Sequence, residues 1–333
     1  MKALVTGGGG FLGGSIVRQL LARGAAVRSF SRHKYPMLTR LGVEQSVGDL
    51  ADAQAVGQAV CGCDIVFHAG AKAGAWGPYQ AYYAANVLGT QHIIRACRDR
   101  GVQRLVYTSS PSVVFNGRDM EGVDEATPYA EHFLSSYPET KARAEKMVLE
   151  ANSDELATVA LRPHLIFGPG DPHLMPRIVA KAKAGKLRLI GNGENKIDIV
   201  YVDNAAKAHI LAGDKLRPGS PIAGRAYFVS NDDPRSIKSL FNKIMELNNL
   251  PPVKHRVPPE LAYLCGWLLE KVYHLLGIIQ EPLITRFLAK ELSTAHWFDI
   301  LSARKDLDYH PEISIDEGFR RVETFLLRNG RTG

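Results

Sequence analysis

The stretch "LVTGGGGFLGGSIV", residues 4–17, places a glycine-rich loop between an apolar run and an amphipathic segment. Gly7, Gly10 and Gly13 have a G-x-x-G-x-x-G spacing. Missing side chains at this spacing allow a tight turn, close approach of the backbone to a pyrophosphate and close packing of a helix on a strand. The free N–H groups at the helix start would then face the phosphates. The stretch therefore predicts a strand, a dinucleotide-binding loop and a helix.

Short apolar runs alternate with helical patterns through the first half of the chain. Helical segments such as residues 11–24 and 86–101 each end on a glycine, as helix C-caps do. The predicted strands are "KALVT" (2–6), "AVRSF" (26–30), "EQSVG" (44–48), "DIVFHAG" (64–70), "RLVYTSS" (104–110) and "ATVALRP" (157–163). This alternation predicts an α/β fold, a Rossmann-type doubly wound parallel sheet with a smaller C-terminal substrate-binding region. We expect residues 1–168 to form mainly the dinucleotide-binding domain, and residues 169–333 mainly the substrate-binding region, interleaved with the first.

The composition is that of an ordinary globular protein. The 333 residues are 45% hydrophobic and 23% charged, with a net charge of +7. Lys and Arg are dispersed without interleaved aromatics, which argues against nucleic-acid binding and favours small anionic ligands. The cysteines at positions 61, 63, 97 and 265 form neither a disulfide framework nor a paired metal-ligand motif, so we expect reduced thiols and no metal site.

The end of the second predicted strand bears on the choice of cofactor. A site selective for NAD usually has an Asp or Glu there for the adenosine ribose, whereas this chain has Ser31 and Arg32. A cation and a small hydroxyl suit a 2′-phosphate, so the sequence favours NADP(H). The alternative is that Arg32 is an ordinary solvated arginine and that NAD(H) is accepted as well.

A tyrosine and a lysine lie one helical turn apart in "SSYPETKARAE", residues 135–145. Tyr137 and Lys141 share one face of the predicted helix, so their polar groups can converge. Pro138 fits the first turn, where its missing N–H would have no partner. A nearby ammonium would lower the pKa of a phenol. Upstream, Ser109 and Ser110 end the fifth strand, at the edge where parallel sheets bind ligands.

Together these motifs resemble the extended short-chain dehydrogenase/reductase family, over essentially the whole chain. The fuller match is to its 3β-hydroxysteroid dehydrogenase-like branch. The stretches that are similar in order and spacing are "YTSSPSVVFNG" (107–117), "YPETKARAE" (137–145), "LRPHLIFGPGDPHLMPRI" (161–178), "GNGENKIDIVYVDNAAKAHILA" (191–212), "GRAYFVSNDDP" (224–234) and "TRFLAKELSTAHWFD" (285–299).

The resemblance implies a carbonyl/alcohol oxidoreductase with three catalytic residues. Ser110 would hydrogen-bond the substrate oxygen, Tyr137 would give or take its proton, and Lys141 would hold the nicotinamide ribose and depress the pKa of the tyrosine. Ser109 is the alternative active hydroxyl. The implied cofactor-binding residues are Gly7, Gly10, Phe11, Leu12, Gly13, Ser31, Arg32, Asp49, Leu50, Ala69, Gly70, Ala71, Lys72, Tyr137, Lys141 and Pro163.

Two groups in this branch compete. Sterol-4α-carboxylate 3-dehydrogenases share "LRPH", "FGP" and "YVDN", while bacterial 2-alkyl-3-oxoalkanoate reductases share "AKAGAWG", the Ser-Arg strand end and "TRF…HW" and match more closely. Both act on a β-hydroxy or β-keto acid unit, so a hydrophobic carboxylic acid or a sterol is the expected substrate, with reduction of a long-chain 2-alkyl-3-oxoalkanoate the favoured activity. Lys72 and His164 are candidates for the cation that binds the carboxylate, with a purely structural role as the alternative for each. Trp76, Tyr79 and residues 261–279 are candidates for an apolar cover, with ordinary core packing as the alternative.

Two other classes remain as alternatives. A sugar-nucleotide epimerase or dehydratase would use the same Tyr and Lys but retain NAD, which the Ser31-Arg32 strand end opposes. A non-catalytic dinucleotide sensor or scaffold would usually have lost the Tyr or the Lys. The family leads us to expect a homodimer through helices around residues 80–100 and 133–150.

Two stretches bear on the location of the protein in the cell: the first strand and residues 261–279. A strand that starts at residue 2 leaves no room for a secretory segment, so we expect a cytoplasmic protein. Residues 261–279, "LAYLCGWLLEKVYHLLGII", are interrupted by Glu270, Lys271 and His274, which makes a membrane span improbable. A helical pair that covers the substrate is the prediction, and peripheral contact with a membrane is the alternative.

Overall fold

The computed structural model describes residues 1–329; the last four positions of the predicted second region lie outside the described residues. The strands are β1 (Lys2–Thr6), β2 (Ala26–Ser31), β3 (Glu44–Val47), β4 (Ile65–His68), β5 (Arg104–Thr108), β6 (Met120–Val123), β7 (Ala157–Pro163), β8 (Ile166–Phe167), β9 (Leu189–Ile190), β10 (Lys196–Ile197), β11 (Val200–Tyr201), β12 (Arg225–Val229), β13 (Arg235–Ser236), β14 (Arg256–Val257) and β15 (His296–Phe298).

Helices separate most of these strands. They are α1 (Phe11–Ala22), α2 (Pro36–Arg40), α3 (Ala53–Val60), α4 (Tyr79–Tyr82), α5 (Gly89–Asp99), α6 (Ser136–Glu150), α7 (Leu174–Lys183), α8 (Val202–Lys215), α9 (Ile237–Leu247), α10 (Pro259–Leu275), α11 (Arg286–Ser293), α12 (Leu301–Leu307) and α13 (Ile315–Asn329). A π-helical turn, Tyr83–Leu88, joins α4 to α5, and a short 3-10 turn, Pro111–Val113, follows β5.

The main sheet has seven parallel strands in the order β12-β7-β5-β4-β1-β2-β3. Ala3 of β1 aligns with Val27 of β2 on one side and with Ile65 of β4 on the other. The strand order therefore reverses direction at β1. In open parallel sheets, ligands bind outside the carboxyl ends of the strands at such a reversal. The glycine-rich loop follows β1 and so lies at this point.

Helices cover both faces of the main sheet, as strand–helix alternation predicts. On one face, Ile16 of α1 and Ala205 of α8 lie in a core cluster with Val5. On the other face, Val56 of α3 and Ile93 of α5 belong to a second core cluster. This arrangement confirms the predicted doubly wound α/β fold.

Six of the seven main-sheet strands coincide with the predicted apolar runs, and the seventh comes from the second half of the chain. This strand, β12, pairs in parallel with β7, from Arg225 opposite Val159 to Val229 opposite Pro163. The remaining strands form a four-stranded sheet, β13-β10-β15-β6, and two small pairs, β11-β8 and β14-β9. These small sheets and α7, α9, α10 and α11 stand beside the carboxyl edge of the main sheet and wall off a cleft there.

No helix within residues 1–329 is both long and apolar enough to cross a membrane. The stretch 261–279 lies mostly in α10, whose inner face buries Ala262, Gly266 and Glu270. Its outer face exposes a row of large apolar side chains, which are Leu261, Leu264, Trp267, Leu268, Val272 and Leu275.

Candidate active site

One cleft of about 1540 Å³ runs along the carboxyl edge of the main sheet. All the predicted cofactor-binding and catalytic residues line it, and Ser109 lines it as well. The far end is walled by apolar side chains of the second half of the chain, among them Leu174, Ile178, Leu240, Ile284 and Phe287. The fold thus brings a predicted dinucleotide loop, a predicted proton-transfer group and an apolar chamber into one continuous space.

The glycine-rich loop is shaped by close contacts that a side chain would destroy. Gly7 adopts a φ of +67°, in the left-handed region that favours glycine. A Cβ on Gly13 would lie 2.2 Å from the carbonyl oxygen of Gly7. The Gly10 N–H donates to the same carbonyl at 2.8 Å, so that α1 starts against the turn. The loop therefore presents bare backbone to the cleft, as a pyrophosphate requires.

The end of β2 carries the residues expected to choose between the two dinucleotides. Arg32 is exposed and lines the cleft, and its guanidinium has no carboxylate partner in the described part of the chain. Ser31 lies beside it, with its hydroxyl 3.5 Å from that of Ser29. Tyr35 was missed in the sequence. Its ring lies against Gly9, where a Cβ would come within 2.1 Å of it, and it lines the same end of the cleft.

Ser110 and Tyr137 both line the cleft, close enough for the Ser110 hydroxyl to lower the pKa of the phenol. The Ser110 hydroxyl lies 2.9 Å from the hydroxyl of Ser112. It also accepts the N–H of Ser112 at 3.2 Å, which fixes its direction. Ser109 is buried and its hydroxyl has no partner within residues 1–329. The geometry therefore favours Ser110 over Ser109 as the hydroxyl that works with the tyrosine.

Lys141 is buried, and its Nζ donates to the carbonyl oxygen of Thr108 at 2.5 Å. The ammonium also lies 4.2 Å from the centre of the Tyr107 ring. Burial lowers the pKa of Lys141 to about 7, while the carboxylate of Glu145 acts in the opposite direction. Tyr137 and Lys141 both face the cleft from α6, one turn apart.

The expectation that Lys141 depresses the pKa of the tyrosine is wrong for this structure. Burial raises the pKa of Tyr137 to about 12, and the hydrogen bond from Ser110 lowers it only in part. Desolvation disfavours the phenolate, and it also disfavours the ammonium that was expected to offset it. In this form of the protein the tyrosine is a protonated phenol at neutral pH.

A buried network holds α6 and the loop after β4 in place. The Asn86 amide donates to the Thr140 hydroxyl and to the Lys72 carbonyl, each at 3.0 Å, and its oxygen accepts the Lys72 N–H at 2.8 Å. Asn86 lies in the π-helical turn, where the wider spiral brings its side chain between these elements. Burial lowers the pKa of His68, in the neighbouring strand, to about 3, so this histidine is neutral.

Of the two residues expected to bind the substrate carboxylate, both line the cleft but only one can carry the expected positive charge. Lys72 lines the cleft, with its ammonium 5.1 Å from the centre of the Tyr82 ring. His164 lines the cleft but is neutral, because burial and His296 lower its pKa well below the usual value. His164 therefore does not provide the expected cation.

The apolar cover also differs from expectation. Trp76 and Tyr79 do not line the cleft. Trp76 packs on Tyr273 and His274 and donates to the Ile278 carbonyl, while the Tyr79 hydroxyl donates to Glu139. Residues 261–279 contribute Ala262 and Cys265 to the cleft wall. Most of the wall comes instead from α7, α9 and α11, which carried no recognisable ligand motif.

Asp203, the acidic residue of "YVDN" in the first turn of α8, has a structural role. Its carboxylate accepts the Ser15 hydroxyl at 2.5 Å, and its carbonyl accepts the Gln19 amide at 2.9 Å. It thereby joins α8 to α1 behind the glycine-rich loop. Asn204 ties α8 to the segment before α13 by accepting the N–H groups of Glu312 and Ile313.

Two further cleft residues, Glu291 of α11 and His296 of β15, lie in the stretch 285–299 that carried the resemblance, but the sequence assigned no role to them. His296 donates from Nε2 to the Glu291 carbonyl at 2.6 Å, and its ring centre lies 4.9 Å from that of His164. Burial raises the pKa of Glu291 to about 7. Within residues 1–329, no cluster of His, Cys, Asp and Glu could hold a metal ion.

The model of the 3-beta hydroxysteroid dehydrogenase/isomerase family matches residues 4–256, most of the chain. The chain belongs to this family. The match begins in β1, includes the glycine-rich loop and the helix that carries Tyr137 and Lys141, and ends in β14. The resemblance read from the sequence is thereby confirmed.

Relatives within the family include both groups that the sequence suggested. The chain is 50% identical to a 2-alkyl-3-oxoalkanoate reductase of Stenotrophomonas maltophilia over 97% of this chain and 98% of that protein. A 2-alkyl-3-oxoalkanoate reductase of Shewanella oneidensis is 48% identical over 97% and 86%. A sterol-4-alpha-carboxylate 3-dehydrogenase, decarboxylating, of Mus musculus is 36% identical over 97% and 91%.

Solved structures share the fold of this 3-beta hydroxysteroid dehydrogenase/isomerase family member. A short-chain dehydrogenase/reductase superfamily protein from Agrobacterium tumefaciens with bound NAD has a TM-score of 0.75, 23% identity and 98% coverage of both chains. UDP-glucuronic acid 4-epimerase from Bacillus cereus in complex with NAD also has a TM-score of 0.75, at 21% identity over 98% and 99%. At these identities the likeness shows the fold alone. The family match and the named relatives, together with this shared fold, confirm the predicted class of NAD(P)-dependent oxidoreductase.

Proposed function

We propose that the protein is an NADP(H)-dependent oxidoreductase that interconverts a β-keto acid and a β-hydroxy acid, and that it reduces 2-alkyl-3-oxoalkanoates with long alkyl chains. The observation that carries the proposal is that Ser110 and Tyr137 line one cleft together with the glycine-rich loop and the apolar side chains of the second half of the chain. Identities near 50% to two 2-alkyl-3-oxoalkanoate reductases support the choice of substrate.

The residues present fit a nicotinamide dinucleotide. The loop at Gly7 and Gly13 would hold the pyrophosphate against bare backbone, because a Cβ at either position would collide with neighbouring backbone atoms. Ser31 and Arg32 would hold a 2′-phosphate, and the unpartnered Arg32 guanidinium favours NADP(H) over NAD(H). Such a cofactor, when bound, supplies or accepts the hydride.

The proton of the reaction is assigned to the phenol of Tyr137. Because burial raises the pKa of Tyr137 to about 12, the phenol is protonated at neutral pH and can donate to the oxygen of a ketone that is being reduced. The Ser110 hydroxyl lies close enough to lower the pKa of the same phenol, so it can hydrogen-bond the reacting oxygen as charge develops on it. Lys141 is held on the same face of α6 by the Thr108 carbonyl.

The direct test follows nicotinamide absorbance with NADP⁺ and separately with NAD⁺. A 2-alkyl-3-hydroxyalkanoic acid and a 4-carboxy-3-hydroxysterol are offered in parallel. We expect turnover of the acyclic acid with NADP⁺, and loss of that turnover by at least about a hundredfold in Tyr137→Phe with nucleotide binding retained. Turnover of the sterol alone would assign the protein to the sterol group, and an active Tyr137→Phe variant would remove the phenol from the mechanism.

We also propose a cytoplasmic homodimer that makes peripheral contact with lipid surfaces. The family supports a dimer through helices around residues 80–100 and 133–150. The exposed apolar row on α10, which includes Leu264, Leu268 and Leu275, supports lipid contact, since monomeric soluble proteins rarely expose large contiguous apolar patches. Sedimentation velocity measures the dimer. Co-sedimentation with vesicles, compared between the wild type and Leu268→Glu, measures the lipid contact.

A further inference from the structure

The wall of the cleft contains four carboxyl groups, three of which have partners. The Asp49 side chain accepts the N–H of Ala51, that of Asp171 accepts three N–H groups at the start of α7, and that of Glu281 pairs with Arg177. The carboxyl of Glu291 is the exception. It lines the cleft and has no hydrogen-bond or ion-pair partner among residues 1–329. Glu291 is half-buried, and partial burial of an unpaired carboxyl disfavours its ionised form.

Glu291 and Tyr137 line the same cleft. The negative charge of Glu291 raises the pKa of Tyr137, and the positive charge of Arg177 lowers the pKa of Glu291. Burial outweighs Arg177 and raises the pKa of Glu291 to about 7. The carboxyl is therefore divided between its neutral and ionised forms at neutral pH.

The groups around Glu291 include two neutral imidazoles. His296 and His164 have pKa values lowered by burial, and the Nδ1 atom of each has no partner within the described residues. Of the charged groups on the surrounding elements, Arg177 on α7 is paired with Glu281, Glu270 on α10 is paired with Arg286, and Lys290 lies over the Tyr263 ring. The cations Lys72, Lys181, Lys186 and Arg188 also line the cleft. A carboxylate that contacts Glu291 has neutral imidazoles beside it.

The proposed substrate brings such a carboxylate into the chamber. In a β-keto acid the carboxylate carbon is two bonds from the carbon that is reduced, so the carboxylate must lie close to Tyr137. Two carboxylates that share a desolvated site cannot both be ionised, and one of them keeps a proton. When Glu291 is the group that keeps the proton, its carboxyl can donate a hydrogen bond to the substrate carboxylate.

We propose that Glu291 recognises the substrate carboxylate by forming a carboxyl–carboxylate pair that shares one proton. The inference rests on the proposed function and names the residue that selects for an acid. No bond to carbon changes, and above neutral pH the shared proton is taken from solvent when the acid binds. Glu291 is thus a specificity-determining residue that discriminates a β-hydroxy acid from the secondary alcohol of the same skeleton.

Calorimetry of a non-reacting complex tests the proton directly. A 2-alkyl-3-hydroxyalkanoic acid is titrated into the enzyme with NADPH, a combination that cannot transfer hydride, in two pH 8.5 buffers of different ionisation enthalpy. We expect uptake of about one proton per acid bound by the wild type, and none by Glu291→Gln. The neutral secondary alcohol should bind without proton uptake. Absence of uptake with the wild type would overturn the proposal without recourse to any variant.

Kinetics provide the second test. For oxidation of the acid by the wild type, KM should rise about tenfold per pH unit above pH 7, and it should be flat for the neutral alcohol. In Glu291→Gln the KM for the acid should be flat, and the neutral alcohol shows whether this variant is folded. Glu260→Gln, which removes an exposed carboxyl from α10, should keep the wild-type profile.

The two proposals fail in different ways. A wild type that turns over the acid with a KM independent of pH, or a Glu291→Gln variant that keeps the pH dependence, overturns the role of Glu291 and leaves the proposed function standing. A wild type that turns over the neutral alcohol but never the acid overturns both.

Discussion

At the residue scale, two glycines of this chain differ in what a methyl group would meet. A Cβ on Gly13 would lie 2.2 Å from the Gly7 carbonyl, whereas a Cβ on Gly57 in α3 would have nothing within 4 Å. Gly13→Ala should therefore lower the free energy of unfolding by about 1–3 kcal/mol and weaken NADPH binding at least tenfold. Gly57→Ala should raise stability by about 0.5–1 kcal/mol, because alanine is the better helix former.

Urea unfolding measures the stability of both glycine variants, and fluorescence titration measures the affinity for NADPH. Gly57→Ala is the control, since it adds the same methyl group to a glycine outside the cleft. Wild-type NADPH affinity in Gly13→Ala would contradict the assigned role of the loop.

Arg32 is the residue on which the choice of cofactor depends. If its guanidinium holds a 2′-phosphate, its loss removes a charge-assisted hydrogen bond of about 1.5–3 kcal/mol. Arg32→Asp should then raise the KM for NADP⁺ by about 10- to 100-fold, with little change for NAD⁺. The ratio of kcat/KM for the two cofactors is the measurement. Arg40→Asp, which alters an exposed arginine outside the cleft, should leave the ratio unchanged.

At the element scale, α6 and β7 are joined by a buried ion pair. Arg162 of β7 donates to Glu145 of α6 from Nη2 at 2.6 Å and from Nε at 3.0 Å, and the Tyr129 hydroxyl donates to the same carboxylate at 2.7 Å. The side chains of Glu145 and Arg162 are 0% and 3% exposed. The pair fixes the far end of the helix whose first turns carry Tyr137 and Lys141.

Removing one partner leaves the other buried and unpaired. Glu145→Gln should lower the free energy of unfolding by about 3–5 kcal/mol, and the double variant Glu145→Leu/Arg162→Met should recover much of that loss. Glu139→Gln is the matched control on the same helix, because its pair with Arg143 is largely exposed and contributes only about 0.3–0.5 kcal/mol. Urea unfolding measures all three, and a double variant no more stable than Glu145→Gln would contradict the coupling.

Elements with a local signal were predictable from the sequence, and elements defined by distant pairing were not. β1 and α1 are fixed by the apolar run, the glycine spacing and the amphipathic pattern of residues 4–17 alone. The strand β12 reads as an ordinary apolar run, and only its pairing with β7, more than sixty residues earlier, makes it part of the main sheet. The pairing register of β12 with β7 depends on the packed fold, so no short stretch of the sequence predicts it.

The candidate site likewise combines residues that could be predicted from a local sequence pattern with residues that could not. The glycine-rich loop and the Tyr137/Lys141 pair carry spacings that follow from their chemistry. Glu291 carries no such spacing, because it lies in an ordinary amphipathic helix and gains its character only from burial in the cleft. The pKa of Tyr137 was misjudged for the same reason: the sequence shows a neighbouring lysine but not the desolvation of both groups.

At the scale of the whole molecule, the cleft is closed by a segment with little regular structure. Residues 276–285, the cover segment, join α10 to α11. Arg177 of α7 pairs with Glu281, Lys181 donates to the Leu283 carbonyl at 3.2 Å, and Trp76 donates to the Ile278 carbonyl at 3.3 Å. These contacts bring the cover segment against α7 on one side and against the loop after β4 on the other, so the closed cleft depends on parts of the chain about a hundred or more residues apart.

Weakening this closure should affect the long alkyl chain and spare the dinucleotide, whose proposed site is at the other end of the cleft. The Arg177–Glu281 pair is partly exposed, so its coupling should be about 0.2–1 kcal/mol, a change of up to about fivefold. Arg177→Gln should raise the KM for a long-chain acid within that range and leave the affinity for NADPH unchanged. Glu281→Gln should add no further increase.

The measurement belongs at pH 6, where Glu291 is protonated and the loss of the neighbouring Arg177 charge cannot change its state. Lys238→Gln, which breaks an exposed pair with Glu194 away from the cover segment, is the control and should leave every constant unchanged. Additive effects of Arg177→Gln and Glu281→Gln would mean that the two side chains act separately. Because a shorter alkyl chain would reach less far under the cover segment, the effect should shrink with chain length, which separates closure from a general loss of stability.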